Sequence, residues 1–179
     1  DGGTWWGFST ATAAWTIVTR EDFEGTFPQP GWSWQDRSTY DGGEFLIGKR
    51  DCNVDAGTYS GWMVGGGANG SALTCGDEYL NNHNSWFIYG PFDTSAATAG
   101  YFDFDFYVNS QAGSDLLIAV VTDGTPESGP WYGYGFSGSY AWGSSAIDLA
   151  NSLCGSGTYD CLGLPSVYVA LYFYSDASL

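Results

Sequence analysis

The sequence predicts an all-β protein, an antiparallel β-sandwich or jelly roll with an N-terminal extension, and three observations carry that prediction. Aromatic residues and glycine are abundant, with 11 Phe, 9 Trp, 13 Tyr and 27 Gly, whereas only 13% of the residues are charged. This composition favours strands and turns over helices. Apolar and polar residues alternate with a period of two, and clusters of Gly, Pro, Asn and Asp separate the alternating segments. Short strands at this spacing, without intervening helices, are typical of a sandwich.

The clearest predicted strands place their apolar side chains on one face. YFDFDFYV (residues 101–108) alternates apolar residues with tyrosine or aspartate, and SVYVALYFYS (166–175) alternates apolar residues with tyrosine. This pattern predicts half-buried antiparallel strands with a wet outer face. The predicted inward-facing residues are Phe102, Phe104, Phe106 and Val108 in the first strand, and Val167, Val169, Leu171 and Phe173 in the second. DLLIAVVTDG (115–124) is a more continuously apolar strand that ends in a turn.

Six shorter segments bring the predicted set to about nine strands. They are AWTIV, GWSWQD, EFLIGKR, TYSGWMV, SWFIYG and WYGYGF. Only SSAIDLANSL (144–153) has a pattern that suits a short helix. The segment from residue 65 to residue 84 is predicted to be the one long loop.

The net charge of −16 limits the classes of partner. A chain with 20 acidic and 4 basic residues has no basic patch, so nucleic acid and anionic membrane surfaces are poor partners. A surplus of carboxylates suits Ca²⁺, which takes oxygen ligands. Acidity also has a simpler role, because it keeps an aromatic-rich protein in solution.

The four cysteines fall into two local pairs, Cys52 with Cys75 and Cys154 with Cys161. Neither spacing is that of a zinc knuckle or a redox motif, so two disulfides and an oxidising, extracellular compartment are predicted. Four cysteines allow three pairings, and the other two stay open. Asn69 begins an Asn-Gly-Ser sequon for glycosylation. Because no secretory signal and no apolar run of membrane length is present, we expect a mature exported chain without a membrane span.

Catalytic constellations are not found, and we expect no enzymatic activity. His83 is the single histidine, so one chain cannot assemble a histidine-based zinc site, and no HExxH motif occurs. Asp103 and Asp105 are neighbours on the outer face of one predicted strand, which is typical of a solvated surface. GGGANG lacks the lysine and helix of a phosphate-binding loop.

An ordered series of motifs resembles a known group of domains. The motifs are EDFEGTFPQPGW, GKRDCNVDAGTYSGWMVGGGANG, NNHNSWFIYGPFD and VYVALYFYSD, spread from about Trp15 to Asp176. Together they resemble the MAM-like accessory jelly-roll domains of bacterial secreted proteins, which accompany immune-inhibitor-A-like metallopeptidases. The resemblance implies a β-sandwich, an extracellular location, no catalysis and a structural Ca²⁺ near the DFE motif.

The resemblance assigns the predicted Ca²⁺ site to Asp22 and Glu24, the acidic residues of that motif. Their spacing of two places them on one strand face, and the fold could bring Asp36 or Asp176 to join them. The alternative is that these carboxylates serve turns and caps.

The chain departs from this group at both ends. In the group, a further strand follows the one that matches VYVALYFYS and closes the sheet, whereas this sequence stops at SDASL. Residues 1–12 precede the first matching strand and have no counterpart. We therefore divide the chain into an N-terminal extension, residues 1–12, and a jelly-roll domain, residues 13–179.

These two departures predict donor-strand complementation between copies of the chain. As a strand, the extension presents Thr4, Trp6 and Phe8 on one face and Trp5 on the other, with residues 9–13 as a short connector. The predicted acceptor edge is the strand that carries Val167, Val169, Leu171 and Phe173. Such a contact is heterologous and continues head to tail into an extracellular filament at the cell surface.

Other interpretations of the same sequence stay open. Residues 1–12 could fold back onto their own domain, or the final strand could simply be lost from a fragment. The runner-up function is a secreted accessory module of a hydrolase that binds surface glycans or a protein. The candidate stacking residues for a glycan are Trp131, Tyr132, Tyr134, Tyr140 and Trp142. Core and cross-strand packing is the competing role for the same aromatic side chains.

Overall fold

The protein is an all-β sandwich, which confirms the predicted fold class. The computed structural model describes residues 15–38, 42–154 and 160–178. The strands in this part of the chain are β1 (Trp32–Asp36), β2 (Leu46–Arg50), β3 (Ser60–Gly66), β4 (Asn84–Phe92), β5 (Tyr101–Asn109), β6 (Leu116–Thr122), β7 (Tyr132–Phe136), β8 (Ser139–Asp148) and β9 (Val167–Tyr174). The four-residue helix α1 (Gly67–Gly70) and a single 3₁₀ turn, Leu149–Asn151, are the helical elements of the described residues.

One layer is a five-stranded antiparallel sheet in the order β1-β4-β9-β6-β7. Its ladders are regular except for one irregularity between β4 and β9, where Tyr89 pairs with Val169 and Phe92 with Val167. The opposite layer consists of two ribbons, β2–β3 and β5–β8, each of two antiparallel strands. Among the described residues no ladder joins these two ribbons.

The main core lies between the layers and follows the predicted alternation. Phe104, Phe106 and Val108 of β5 are buried against Val167 and Val169 of β9 and their neighbours. The residues between them on β5 point outward and are exposed. Burial of these apolar faces is the dominant favourable contribution to folding.

A second apolar cluster covers the outer face of the five-stranded sheet. Trp86, Ile88, Val120 and Ala170 are buried there. The indole of Trp86 stacks on Tyr172 with ring centroids 4.0 Å apart, and the Arg37 guanidinium lies 4.1 Å above the same indole. This sheet is therefore covered on both faces.

Two element predictions are wrong. Residues 144–148 belong to β8 and only 149–151 turn, because the ladder with β5 overrides the weak helical pattern. The predicted strand AWTIV forms no ladder in its described part, residues 15–18.

Both predicted disulfide pairs form, Cys52–Cys75 and Cys154–Cys161. Cys52 follows β2, so the first disulfide links the end of that strand to the segment after α1. Disulfides persist in oxidising compartments. None of the helices in residues 15–38, 42–154 and 160–178 has the length and apolar character needed to cross a bilayer.

Candidate functional site

The predicted acceptor strand is a central strand, so the prediction of an edge at Val167, Val169, Leu171 and Phe173 is wrong. β9 pairs with β4 on one side and with β6 on the other. A strand has two hydrogen-bonding edges, and both edges of β9 are occupied. The inward orientation of the four residues is as expected, with Val167, Val169 and Phe173 buried and Leu171 half-buried.

A different strand, β5, has an unpaired edge among the described residues. β5 pairs only with β8. The phenol of Tyr134 on β7 donates a 2.6 Å hydrogen bond to the Ala146 carbonyl of β8, so the outer edge of β8 faces β7. The second edge of β5 is consequently directed the other way, toward the β2–β3 ribbon. That ribbon lies over β4, where the Ser85 hydroxyl donates to the Met63 carbonyl.

The register identifies the backbone groups on this edge. The Leu149 amide donates to the Gly100 carbonyl at 2.9 Å, and the pairing continues with Phe102 opposite Ile147 and Asp103 opposite Ala146. Because hydrogen-bonded and non-hydrogen-bonded pairs alternate, the backbone of Phe102 bonds β8 and that of Asp103 does not. The N–H and C=O groups of Asp103 and Asp105 therefore point to the unpaired edge of β5.

Residues 15–20, called here the lead segment, begin beside the start of β5. The Trp15 ring packs against Tyr101 at the beginning of β5, with centroids 5.6 Å apart. Trp15, Ile17 and Val18 are 70%, 75% and 64% exposed, respectively. Large apolar side chains exposed next to one another are typical of a surface that a partner covers. The predicted anchors Thr4, Trp5, Trp6 and Phe8 lie outside the described residues.

Glu24, four residues after the lead segment, attaches the chain to the start of β3. Its carboxylate accepts hydrogen bonds from the backbone amides of Thr58 and Tyr59, at 2.7 and 2.9 Å, immediately before β3 begins. These two bonds hold the pKa of Glu24 below its ordinary value. The chain thus passes from the beginning of β5, at Trp15, to the beginning of β3, at Glu24.

A second network fixes the chain beyond β9. The Tyr79 hydroxyl donates to the buried carboxylate of Asp115 at 2.6 Å, and the other oxygen of Asp115 accepts from the Asp176 amide at 2.9 Å. Burial, with the hydrogen bond to Asp115, raises the pKa of Tyr79 to about 12. The carboxylate of Asp176 itself accepts hydrogen bonds from the backbone amide and the hydroxyl of Ser178, both at 2.8 Å, so it takes part in a structural turn.

The carboxylates predicted to bind calcium do not form one cluster. They are Asp22, Glu24, Asp36 and Asp176. Across the described ranges, one group of three ligand-type residues has its atoms within 4.8 Å, Asp51 with the disulfide-bonded Cys52 and Cys75. Asp36 instead accepts bonds from backbone amides, including that of Phe45 just before β2. Calcium binding at Asp22 and Glu24 stays a prediction.

The aromatic residues predicted to stack on a glycan do not form one platform. Trp131 packs on Trp86 at the outer face of the five-stranded sheet, with centroids 5.3 Å apart. Tyr134 points inward toward β8, whereas Trp142 of β8 lies beside Tyr107 of β5 on the outer face of their ribbon. Tyr132 begins β7, and Tyr140 packs against Phe136 at the turn between β7 and β8.

Two further residues named from the sequence are placed as follows. Asn69 is exposed on α1, and its side-chain oxygen accepts a 2.9 Å bond from the Glu44 amide. Its glycosylation stays a prediction. His83 is completely buried, with its ring packed against Phe45 and Phe173.

Sequence reasoning missed a groove between β1 and β2. It has a volume of about 460 Å³ and is bordered by Phe27, Trp34 and Leu46. Phe27 and Trp34 stack with centroids 5.8 Å apart, and Trp34 is 40% exposed. The sequence signal for this groove is the short turn within FPQPGWSW, which returns the chain so that Phe27 stacks on Trp34 of the edge strand β1.

Comparison with known proteins identified no relative of this chain: no protein-family model, no curated protein and no solved structure matches it.

Proposed function

We propose that this protein is a non-enzymatic structural subunit of an extracellular filament. Residues 1–12 of one copy add as a strand to the unpaired edge of β5 in the next copy, and copies follow head to tail. The observation that carries this proposal is the position of the lead segment. It begins beside Tyr101 at the start of β5, the strand that pairs only with β8 among the described residues, and exposes Trp15, Ile17 and Val18.

Strand addition at β5 is physically favourable for this donor sequence. The backbone groups of Asp103 and Asp105 supply main-chain hydrogen bonds, and alternate side chains of the donor supply the register. Residues 2–12 carry no charged side chain, so the acidic face of β5 does not repel them. A donor with Trp6 and Phe8 on one face adds apolar surface to the layer that contains Phe104 and Phe106.

We prefer exchange between copies to fold-back within one chain because apolar side chains of the lead segment are exposed in the single copy. In the single copy, the apolar side chains of the lead segment stay open to solvent. A neighbouring copy that docks beside this segment covers them, which is favourable in proportion to the apolar area removed from water. The two disulfides support placing the filament outside the cell.

The direct test is deletion of residues 1–12, with sedimentation and negative-stain imaging of both proteins. We expect filaments or a ladder of oligomers for the full chain and none for the truncated chain, whose circular dichroism stays that of a folded β protein. Trp34→Ala, which changes an exposed aromatic side chain away from β5, serves as the control and should assemble normally. Filaments of the truncated protein, or a strictly monomeric full chain, contradict the proposal.

A further inference from the structure

The outer face of the β5–β8 ribbon has aromatic side chains at both ends and carboxylates between them. At one end Tyr107 and Trp142 lie side by side, with centroids 6.0 Å apart and planes tilted by 44°. At the other end Tyr101, which is 52% exposed, packs against Trp15. Tyr101 and Tyr107 are separated by six residues of one strand, about 20 Å at the usual rise.

The middle of this face is a shallow depression with hydrogen-bonding groups. Its volume is about 440 Å³, and Asp103, Asp105 and Ser144 border it. The Ser144 hydroxyl donates to Asp105 at 2.5 Å, whereas the described residues donate no hydrogen bond to the side chain of Asp103. The depression therefore presents acceptor oxygens to solvent on an otherwise aromatic face.

Cross-strand packing explains only part of this arrangement. Tyr107 and Trp142 stabilise the ribbon as a neighbouring pair. That role does not account for a second aromatic pair at the far end of the same face. Nor does it account for the exposed carboxylates aligned between the two pairs. Exposed aromatic clusters with a polar centre are typical of binding surfaces.

We infer that this face binds an extended, uncharged polysaccharide. The apolar faces of sugar rings pack on Tyr107, Trp142 and Tyr101, and sugar hydroxyls donate to the carboxylates of Asp103 and Asp105. Charge selects the class of glycan. None of the four basic residues of the chain lies on β5 or β8, and the net charge is −16, so acidic polysaccharides are repelled.

This inference does not depend on the proposed filament, because strand addition uses the edge of β5, whereas Asp103, Asp105, Tyr107 and Trp142 lie on the outer face away from the lead segment. In a filament the same face recurs in every subunit. Repetition raises the overall affinity for a long polymer without any new contact, since the later binding events become intramolecular.

The test is native affinity electrophoresis of the full chain in gels that contain one polysaccharide each. The neutral probes are hydroxyethylcellulose, glucomannan and xyloglucan, the acidic probe is alginate, and the cationic probe is chitosan. We expect a neutral probe to retard the protein and alginate not to. Retardation by chitosan alone, or by no probe, contradicts the inference.

Variants locate the binding to this face. We expect Trp142→Ala and Tyr107→Ala each to weaken binding of the retarding probe by about tenfold. Asp103→Asn, which changes no hydrogen bond among the described residues, should weaken binding without lowering the melting temperature. Trp34→Ala, on a different surface, should bind as the wild type does. Unchanged binding by Trp142→Ala and Asp103→Asn together overturns the inference.

Discussion

The two layers of the sandwich are built from similar alternating strands but differ in how their backbone is paired. In the five-stranded sheet, β4, β9 and β6 each have a strand on both sides, and side chains cover both faces. In the opposite layer, each strand of the two ribbons has one strand partner among the described residues. Unpaired strand edges are where other strands add. The first layer therefore has the more complete backbone pairing, and the unpaired edges of the second layer include the one that the proposed assembly uses.

The largest expected effect is on stability and lies in the five-stranded sheet. Phe87 of β4 is 2% exposed, and its ring stacks on Trp32 with centroids 4.4 Å apart. Phe87→Ala should lower the free energy of unfolding by about 3–5 kcal/mol, because it leaves a cavity in a closed core. Urea denaturation measures the change.

Phe102→Ala in β5 is the matched variant of the second layer. Phe102 is half-buried, so its loss should cost about 1 kcal/mol, clearly less than that of Phe87. Equal losses for the two variants would mean that both layers are equally closed, and the contrast between them would fail.

Among the predictions on assembly, the sharpest concerns a single backbone N–H group. Asp103→Pro removes an amide that points to the unpaired edge of β5 and leaves the bonds to β8 in place. We expect this variant to fold and to lose assembly in sedimentation experiments. Asp103→Ala removes the same carboxylate but keeps the amide, and should assemble normally.

The Asp103→Pro result tests whether β5 is the acceptor edge, and the deletion of residues 1–12 tests separately whether these residues are the donor strand. If Asp103→Pro assembles as well as Asp103→Ala does, β5 is not the acceptor edge. If deletion of residues 1–12 still abolishes filaments in that case, the donor strand is retained and the acceptor lies elsewhere. The groove between β1 and β2, beside Trp34, is then the next edge to test.

The sequence was sufficient to predict strand faces but not strand neighbours. Period-two alternation correctly predicted that Phe104 and Val169 point inward, because it reports directly which face is apolar. It contains no information on whether a strand such as β9 is central or at an edge. That depends on tertiary pairing with β4 and β6.

The sequence did not reveal the aromatic outer face of the β5–β8 ribbon for a related reason. Trp131, Tyr134 and Trp142 are close in sequence, which made them candidates for one aromatic platform beside the alternative of core and cross-strand packing. The chain passes from one layer to the other between β7 and β8, so these three side chains reach different surfaces. Tyr107, the actual neighbour of Trp142, is distant in sequence and pairs with it only through the β5–β8 ladder.

The smallest expected effect concerns the attachment of Glu24 to the start of β3. Because amide hydrogen bonds lower the pKa of Glu24 in the folded state, its ionised form stabilises the protein above the ordinary pKa of 4.5. This contribution is lost as the pH falls through the lower, folded-state pKa. Glu24→Gln lacks the charge at every pH, so its melting temperature should be slightly below that of the wild type at pH 7, and the difference should disappear in strongly acidic solution.

The control for Glu24→Gln is Glu78→Gln. Glu78 is exposed and takes part in no hydrogen bond among the described residues. Glu78→Gln therefore changes the net charge by the same amount as Glu24→Gln without removing a hydrogen bond. If both variants differ from the wild type by the same melting temperature, the change reports general charge repulsion. That result would contradict a specific stabilising bond at Glu24. A difference confined to Glu24→Gln shows that the bonds from Thr58 and Tyr59 to this carboxylate stabilise the fold.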